Sequence, residues 1–315
     1  MNLDLRGIIP PIITPLKSES ELDEQGLKQL IEYLISGGVH GLFLLGTTGE
    51  ATSFSYQLRK EFIEKACAII NKRIPVMVGI TDTAVAGSIE MATVSKNAGA
   101  DALVISAPYY LPMAQHEFVE YLEYLTPKLP LPYLLYNMPS CTKLHMSAET
   151  VKKARELGAI GIKDSSGDLA YLYDLIEEFK EFPDFSIICG TELFIPESVK
   201  FGGSGAVAGG ANIFPRLFVD LYEATLANDF DKISRLRAIV IQIEKKIYNI
   251  GTNDSKYVKT IKCALSVIGI CNDFVAQPFQ RFGKKEYEQV AKNIKELHAG
   301  FPEIREELSA LKITD

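Results

Sequence analysis

An alternation of two periodicities constrains this chain more than any other feature. Short unbroken runs of aliphatic and β-branched residues occupy positions 8–13, 41–45, 75–79, 102–105, 133–137, 160–163, 186–189 and 205–208. Unbroken runs, as opposed to alternating ones, are what parallel strands covered on both faces require. Between them lie stretches with helical spacing. Leu27, Leu30, Ile31, Leu34 and Ile35 fall at i, i+3, i+4, i+7 and i+8, one apolar stripe for a sheet, and Gly37 and Gly38 stop that helix. Successive runs end about 20 to 35 residues apart, one strand–helix unit per step. Eight units predict an α/β fold of the (β/α)8 TIM-barrel type. The competing doubly wound sheet ordinarily carries G-x-G-x-x-G after its first strand, where this chain has Thr14-Pro15-Leu16.

After the eighth unit the pattern is helical only. Ile233, Leu236, Val240, Ile243 and Ile247 keep 3–4 spacing, and Val290, Ile294 and Leu297 repeat it. The expected organisation is a barrel over 1–228 and a helical C-terminal extension over 229–315, with the charged stretch 284–307 read as a solvated face. Of 315 residues, 47% are apolar and 23% charged, which fits a packed chain and excludes a disordered one. The net charge of −7 and the lack of a basic block argue against a nucleic-acid partner. No apolar run approaches the ~20 residues of a membrane helix. Residues 1–16 carry Asp4, Arg6 and the pair Pro10-Pro11, with no signal-type apolar region. Cys67, Cys141, Cys189, Cys263 and Cys271 are odd in number, far apart and without a C-x-x-C pair, so a reducing compartment, the cytoplasm, is expected. His40, His116, His145 and His298 are scattered, so neither a metal nor another cofactor is expected, and His40 reads as a satisfied loop residue.

In a barrel, chemistry collects at the C-terminal ends of the strands. The second strand runs into Gly46-Thr47-Thr48-Gly49-Glu50, a tight turn whose amides and hydroxyls can hold a carboxylate, or an ordinary connection. The fifth ends in Tyr136-Asn137-Met138-Pro139, placing a phenol in the mouth for proton transfer or for packing. The fourth unit adds Tyr109 and Tyr110. The sixth ends at Lys163, followed by Asp164, Ser165 and Ser166. Burial disfavours an ammonium, and an uncharged amine is the nucleophile that condenses with a ketone to a Schiff base; an ion pair with Asp164 or Glu192 is the alternative.

Taken together and in order, residues 46–50, Tyr109-Tyr110, Tyr136-Asn137-x-Pro139 and Gly161-x-Lys163, with Tyr136 and Lys163 separated by 27 positions, resemble the N-acetylneuraminate lyase / dihydrodipicolinate synthase superfamily of class I pyruvate-dependent aldolases. The likeness runs from about Gly7 to about Pro278. It implies that Lys163 forms the Schiff base with pyruvate or a 2-keto acid. Tyr136 would shuttle protons, Thr47 would relay them, and Tyr110 would reach in from a neighbouring subunit of a homodimer or homotetramer. The resemblance assigns the keto-acid carboxylate to Thr48, contact with the imine to Val207, and the second substrate to Ser165, Gly190 and Glu192.

One departure bears on the substrate. Dihydrodipicolinate synthases usually carry arginine where this chain has Cys141, and a thiol makes no bidentate contact with a carboxylate; only Lys143 stands nearby to substitute. The run from Lys163 to Asp168 looks more like the aldolases of 2-keto-3-deoxy sugar acids and 4-hydroxy-2-oxoglutarate. The expected activity is reversible cleavage of a 2-keto-4-hydroxy acid to pyruvate and an aldehyde. Condensation of pyruvate with aspartate semialdehyde, cleavage of N-acetylneuraminate and dehydration of a 2-keto-3-deoxy acid are the enzymatic alternatives. A non-catalytic keto-acid sensor is the other, although a binder needs no proton relay. Cys141 with His145 as a nucleophile pair is weaker than an inert loop thiol.

Overall fold

The computed structural model describes residue 3, residues 5–309 and residue 311; Asp4 and the outer ends of the two expected parts lie outside the described residues. The eight strands are β1 (Gly7–Ile8), β2 (Leu42–Leu44), β3 (Val76–Gly79), β4 (Ala102–Ile105), β5 (Tyr133–Asn137), β6 (Ala159–Asp164), β7 (Ser186–Cys189) and β8 (Gly205–Ala206). All are parallel neighbours in one sheet, in the order β1-β8-β7-β6-β5-β4-β3-β2. The sheet curls. Just beyond β1, Pro11 bridges Phe43 of β2 in parallel, Phe43 N–H donates to the Pro10 carbonyl at 2.9 Å, and Ile12 N–H donates to that of Phe43 at 3.0 Å.

Four strands are shorter than the apolar runs predict, three of them for backbone reasons. The expected 8–13 strand stops as a regular ladder at Ile8 because Pro10 and Pro11 have no N–H to donate. β2 ends where Leu45 takes a left-handed φ of +55°, and β3 starts after Pro75. β8 keeps only Gly205–Ala206 of the expected 205–208, while β6 gains Ala159 and Asp164.

Strand alternation divides the buried residues into two layers. Leu134 and Tyr136 of β5, Val104 of β4 and Ile188 of β7 point inward with Ile9, Phe43, Met77 and Val207. Leu135, Leu103, Ile105 and Ile162 point outward into the larger cluster shared with the helices. The helix Glu24–Ser36 shows how the helices dock: Asp23 caps its start by accepting from Gly26 N–H at 3.0 Å, Leu27, Leu30, Ile31 and Leu34 are buried, and Gly38 turns away at φ +83°.

Past Pro215–Leu226, the chain forms Phe230–Ile243, a wide π-type turn at Glu244–Tyr248, then Lys256–Val267, Lys284–Gly300 and Pro302–Glu307. Leu236, Val240, Ile261 and Ile294 join the same cluster as the strands' outer faces. The charged stretch 284–307 is not one solvated helix. It breaks at Phe301-Pro302, and the Glu307 carboxylate accepts from Arg216 N–H at 2.6 Å and Leu217 N–H at 3.3 Å, capping the helix Pro215–Leu226. A hairpin of Leu16–Ser18 and Glu21–Leu22, not foreseen, follows β1.

The β1–β8 contact leaves no room for a side chain. A Cβ on Gly205 would lie 2.0 Å from the Gly7 carbonyl oxygen. Gly205→Ala is therefore expected to destabilise the chain by ~1–3 kcal/mol, read from urea denaturation; an unmoved midpoint would refute this packing.

Candidate active site

Register brings the central pair together. In the parallel pairing of β5 with β6, Tyr136 stands opposite Lys163 and Asn137 opposite Asp164. The first rung faces inward: Lys163 Nζ lies 3.8 Å from the Tyr136 ring centroid and 5.3 Å from that of Phe43, and Lys163 is 6% exposed. The second rung faces out and fastens the strands. Asn137 Nδ2 donates to Asp164 Oδ1 at 2.7 Å, Ser166 Oγ donates to Asp164 Oδ2 at 2.9 Å, and Asn137 Oδ1 accepts from Met146 N–H at 3.0 Å. Burial raises the Asp164 carboxyl against these donors.

Neither carboxylate named as an ion-pair partner reaches Lys163. Asp164 is engaged as above, and Glu192 accepts from Gly210 N–H at 2.6 Å, Tyr248 at 2.9 Å and Tyr257 at 3.3 Å. Among the described residues Lys163 forms no salt bridge, so its amine is left facing the cavity. On its other side Tyr136 shares a hydrogen bond of 3.2 Å with Thr47 Oγ1. Lys163 over the Tyr136 ring and Thr47 on its hydroxyl thus bring an amine, a phenol and an alcohol together, the groups that imine formation and proton transfer need.

The cavity holds about 450 Å³, and Thr47, Thr48, Tyr136, Lys163, Ser165, Gly190, Glu192 and Val207 all line it. Tyr136, Thr47 and Met138 also bound a second cavity of about 330 Å³, which reaches Tyr109, Thr81, Ser106 and Cys141. Tyr110 lines neither. It stands 96% exposed at φ +84°, a strained conformation for an aromatic residue.

Residues 4–297 match the dihydrodipicolinate synthetase family. The chain belongs to that family. As a member it is a lyase. Among similar solved structures is dihydrodipicolinate synthase from Bacteroides thetaiotaomicron, at 46% identity and a TM-score of 0.91 over 94% of this chain and 100% of that one. YagE of Escherichia coli K12, provisionally named a 2-dehydro-3-deoxy-D-gluconate aldolase, is 32% identical over 84% of this chain and 87% of its own. Its structure in complex with pyruvate gives a TM-score of 0.87 at 29% identity, covering 93% and 98% of the two chains. The 4-hydroxy-tetrahydrodipicolinate synthase of Methanopyrus kandleri is 27% identical over 94% of this chain and 98% of its own.

In this member of the dihydrodipicolinate synthetase family, Cys141 is exposed on the short helix Pro139–Thr142 and borders only the second cavity. Lys143 lines neither cavity and donates to the Ser140 carbonyl at 2.8 Å. His145 packs against Tyr171, ring centroids 4.4 Å apart, and His40 Nδ1 accepts from Ile8 N–H at 3.1 Å. No described helix is long and apolar enough to cross a membrane.

Residues from beyond Asp229 also enter the cavity, and sequence reasoning missed them. Glu244, Tyr248, Asn249, Asp254, Lys256 and Tyr257 line it as well. Tyr248 follows the stripe position Ile247 and lies in the π-type turn, which displaces it from the helical register. Tyr257 opens the next helix with no period to mark it. Gly209 and Gly210 make room for them: a Cβ there would lie 2.0 Å from Tyr257 Oη and 2.1 Å from Tyr248 Oη. Burial and the Glu192 carboxylate hold both phenols well above their ordinary value.

Burial pushes Glu192 up to about 7, against the Gly210 amide and the Tyr248 hydroxyl, which favour the carboxylate. Between its ordinary value of 4.5 and about 7, the folded chain holds a proton that the unfolded chain has released. The stability this contributes is complete below that window and is lost as pH rises through about 7. Glu192→Gln is expected to flatten this fall in a pH series of urea denaturations; a slope equal to that of the parent protein would refute it.

Proposed function

We propose that the chain is a class I aldolase on a closed (β/α)8 barrel with its helical extension, reversibly cleaving a 2-keto-3-deoxy, 4-hydroxy acid to pyruvate and an aldehyde. The observation that carries this reading is the shared rung of Tyr136 and Lys163, with Thr47 hydrogen-bonded behind the phenol. The Lys163 amine adds to the ketone carbon, and the carbinolamine loses water to give an iminium. Tyr136 gives its proton to the hydroxyl that leaves as that water, and the resulting phenolate then takes the 4-hydroxyl proton as the carbon–carbon bond beyond C3 breaks and the bonding pair passes into the iminium as an enamine. Protonation at C3 and hydrolysis of the imine release pyruvate and restore the amine. A positioned phenol and alcohol supply a relay worth ~10²–10⁴ in rate.

Thr48, with the amides of Thr47 and Thr48, holds the keto-acid carboxylate in this reading. Val207 packs beside the imine, while Ser165, Gly190 and Glu192 face the aldehyde portion. Exposed and strained, Tyr110 suits a residue that completes the relay of a neighbouring copy, so the working unit is a homo-oligomer. The reaction uses no cofactor and no metal. Five free cysteines suit the cytoplasm.

Condensation of pyruvate with aspartate semialdehyde is the second reading. The 46% identity to the Bacteroides thetaiotaomicron synthase favours it, and the Cys141 thiol, in place of a carboxylate-binding cation, weighs against it.

Borohydride reduction with pyruvate is expected to add one pyruvate-derived mass to the peptide carrying Lys163, and Lys163→Ala to abolish the adduct. Tyr136→Phe should lower kcat by ~10²–10⁴ with the fold intact. Binding of pyruvate without an adduct would support a sensor instead. Pyruvate release from a panel of 2-keto-3-deoxy acids, hydroxy-oxoglutarate and N-acetylneuraminate, set against pyruvate uptake with aspartate semialdehyde, separates the two readings.

A further inference from the structure

We infer that Glu50 and Lys262 are a positioning pair, a buried ionic tie through which the helix Lys256–Val267 fixes the loop that carries Thr47 and Thr48. The inference rests on the proposed reading of that loop as the holder of the keto-acid carboxylate. Glu50 closes the loop and is 7% exposed, and Lys262 has no exposed surface. One Glu50 carboxylate oxygen meets Lys262 Nζ, and the other accepts from Ala276 N–H at 2.8 Å. Lys262 Nζ also donates to the Phe274 carbonyl at 2.8 Å. Both charges are thereby bonded in a dry place, where either one alone would be strongly unfavourable.

The tie acts on the loop through the backbone of Glu50. This residue sits at φ +56°, a left-handed conformation that a residue with a Cβ disfavours. Glu50 N–H donates to the Thr47 carbonyl at 3.0 Å, and Thr14 Oγ1 donates to that of Gly49 at 2.9 Å. The two threonines therefore lie within a turn whose far end is held in its strained shape by a side chain reaching into the C-terminal segment. Releasing that anchor lets the residue relax and shifts the amides that face the carboxylate.

The test is the pyruvate concentration that half-saturates borohydride trapping at Lys163, measured with the unfolding midpoint. Glu50→Gln keeps an acceptor for Ala276 but leaves Lys262 unpaired, and Glu50→Gln/Lys262→Met removes both charges. Replacing a buried pair with uncharged groups is often near neutral for stability, so the double variant keeps the comparison interpretable if the single one unfolds. Both variants are expected to raise the half-saturating concentration about tenfold, with trapping at saturation unchanged. Leu175→Ala, in the core under the helix Leu169–Glu178, is expected to lower the midpoint without moving half-saturation. Half-saturation unchanged in the folded double variant, or moved equally by Leu175→Ala, overturns the inference. Absence of any adduct in the parent protein removes the proposed function and this inference with it.

Discussion

The site depends on one rung of parallel sheet. Because β5 and β6 pair in register, the inward residues Tyr136 and Lys163 are neighbours. Their outward successors, Asn137 and Asp164, lock the same two strands with a buried hydrogen bond of 2.7 Å. A slip of one residue would exchange the faces, sending the amine among the helices and the Asn–Asp pair into the cavity. The fold therefore has a strong reason to hold this register. Hydrogen bonds to a charged group contribute ~1.5–3 kcal/mol each, and Asp164 accepts several.

Two carboxylates show why the helical segment cannot be treated as an appendage. Glu50 follows β2 and Glu192 follows β7, and each is nearly buried. Both find partners beyond Asp229: Lys262 and the Ala276 amide for Glu50, Tyr248 and Tyr257 for Glu192. A buried acid without such partners would be protonated or would destabilise the fold. The strand ends thus present the cavity's amine, phenol and hydroxyls, and the late helices supply the bonds that let neighbouring acids stay inside.

The sequence reveals the structure best where one constraint acts alone. β4, β5 and β7 begin and end where the apolar runs do, because nothing interrupts them. β1 is cut short because Pro10 and Pro11 are apolar in composition yet cannot donate to a ladder, a backbone property that hydrophobicity does not register. Lys163, Tyr136 and Thr47 are readable because each lies at or just past the end of a run, and the cavity collects them. Tyr248 and Tyr257 are not, since a tyrosine at the edge of an apolar stripe reads as packing until the strand end it meets is known. Glu50 conceals its partner in a different way: the Ala276 amide lies 226 positions later in the chain.

The charges around the cavity bear on what it accepts. Glu192, Glu244, Asp254, Lys163 and Lys256 all line it. Lys256 is itself engaged, donating to Asn249 Oδ1 at 3.3 Å. Under the proposed reading Lys163 is taken up by the imine, so a carboxylate-bearing aldehyde would meet Glu244 and Asp254 with Lys256 as the other lining cation, and Cys141 offers it none beside the second cavity. Hydroxyl groups fare differently, since carboxylates, the Asn249 amide oxygen and the Ser165 hydroxyl can all accept hydrogen bonds from them. Rejecting an ion costs a site nothing when its own acids do the repelling. Under the aldolase reading proposed above, this lining suits a neutral, hydroxylated aldehyde better than aspartate semialdehyde, the same direction in which Cys141, in place of a carboxylate-binding arginine, points.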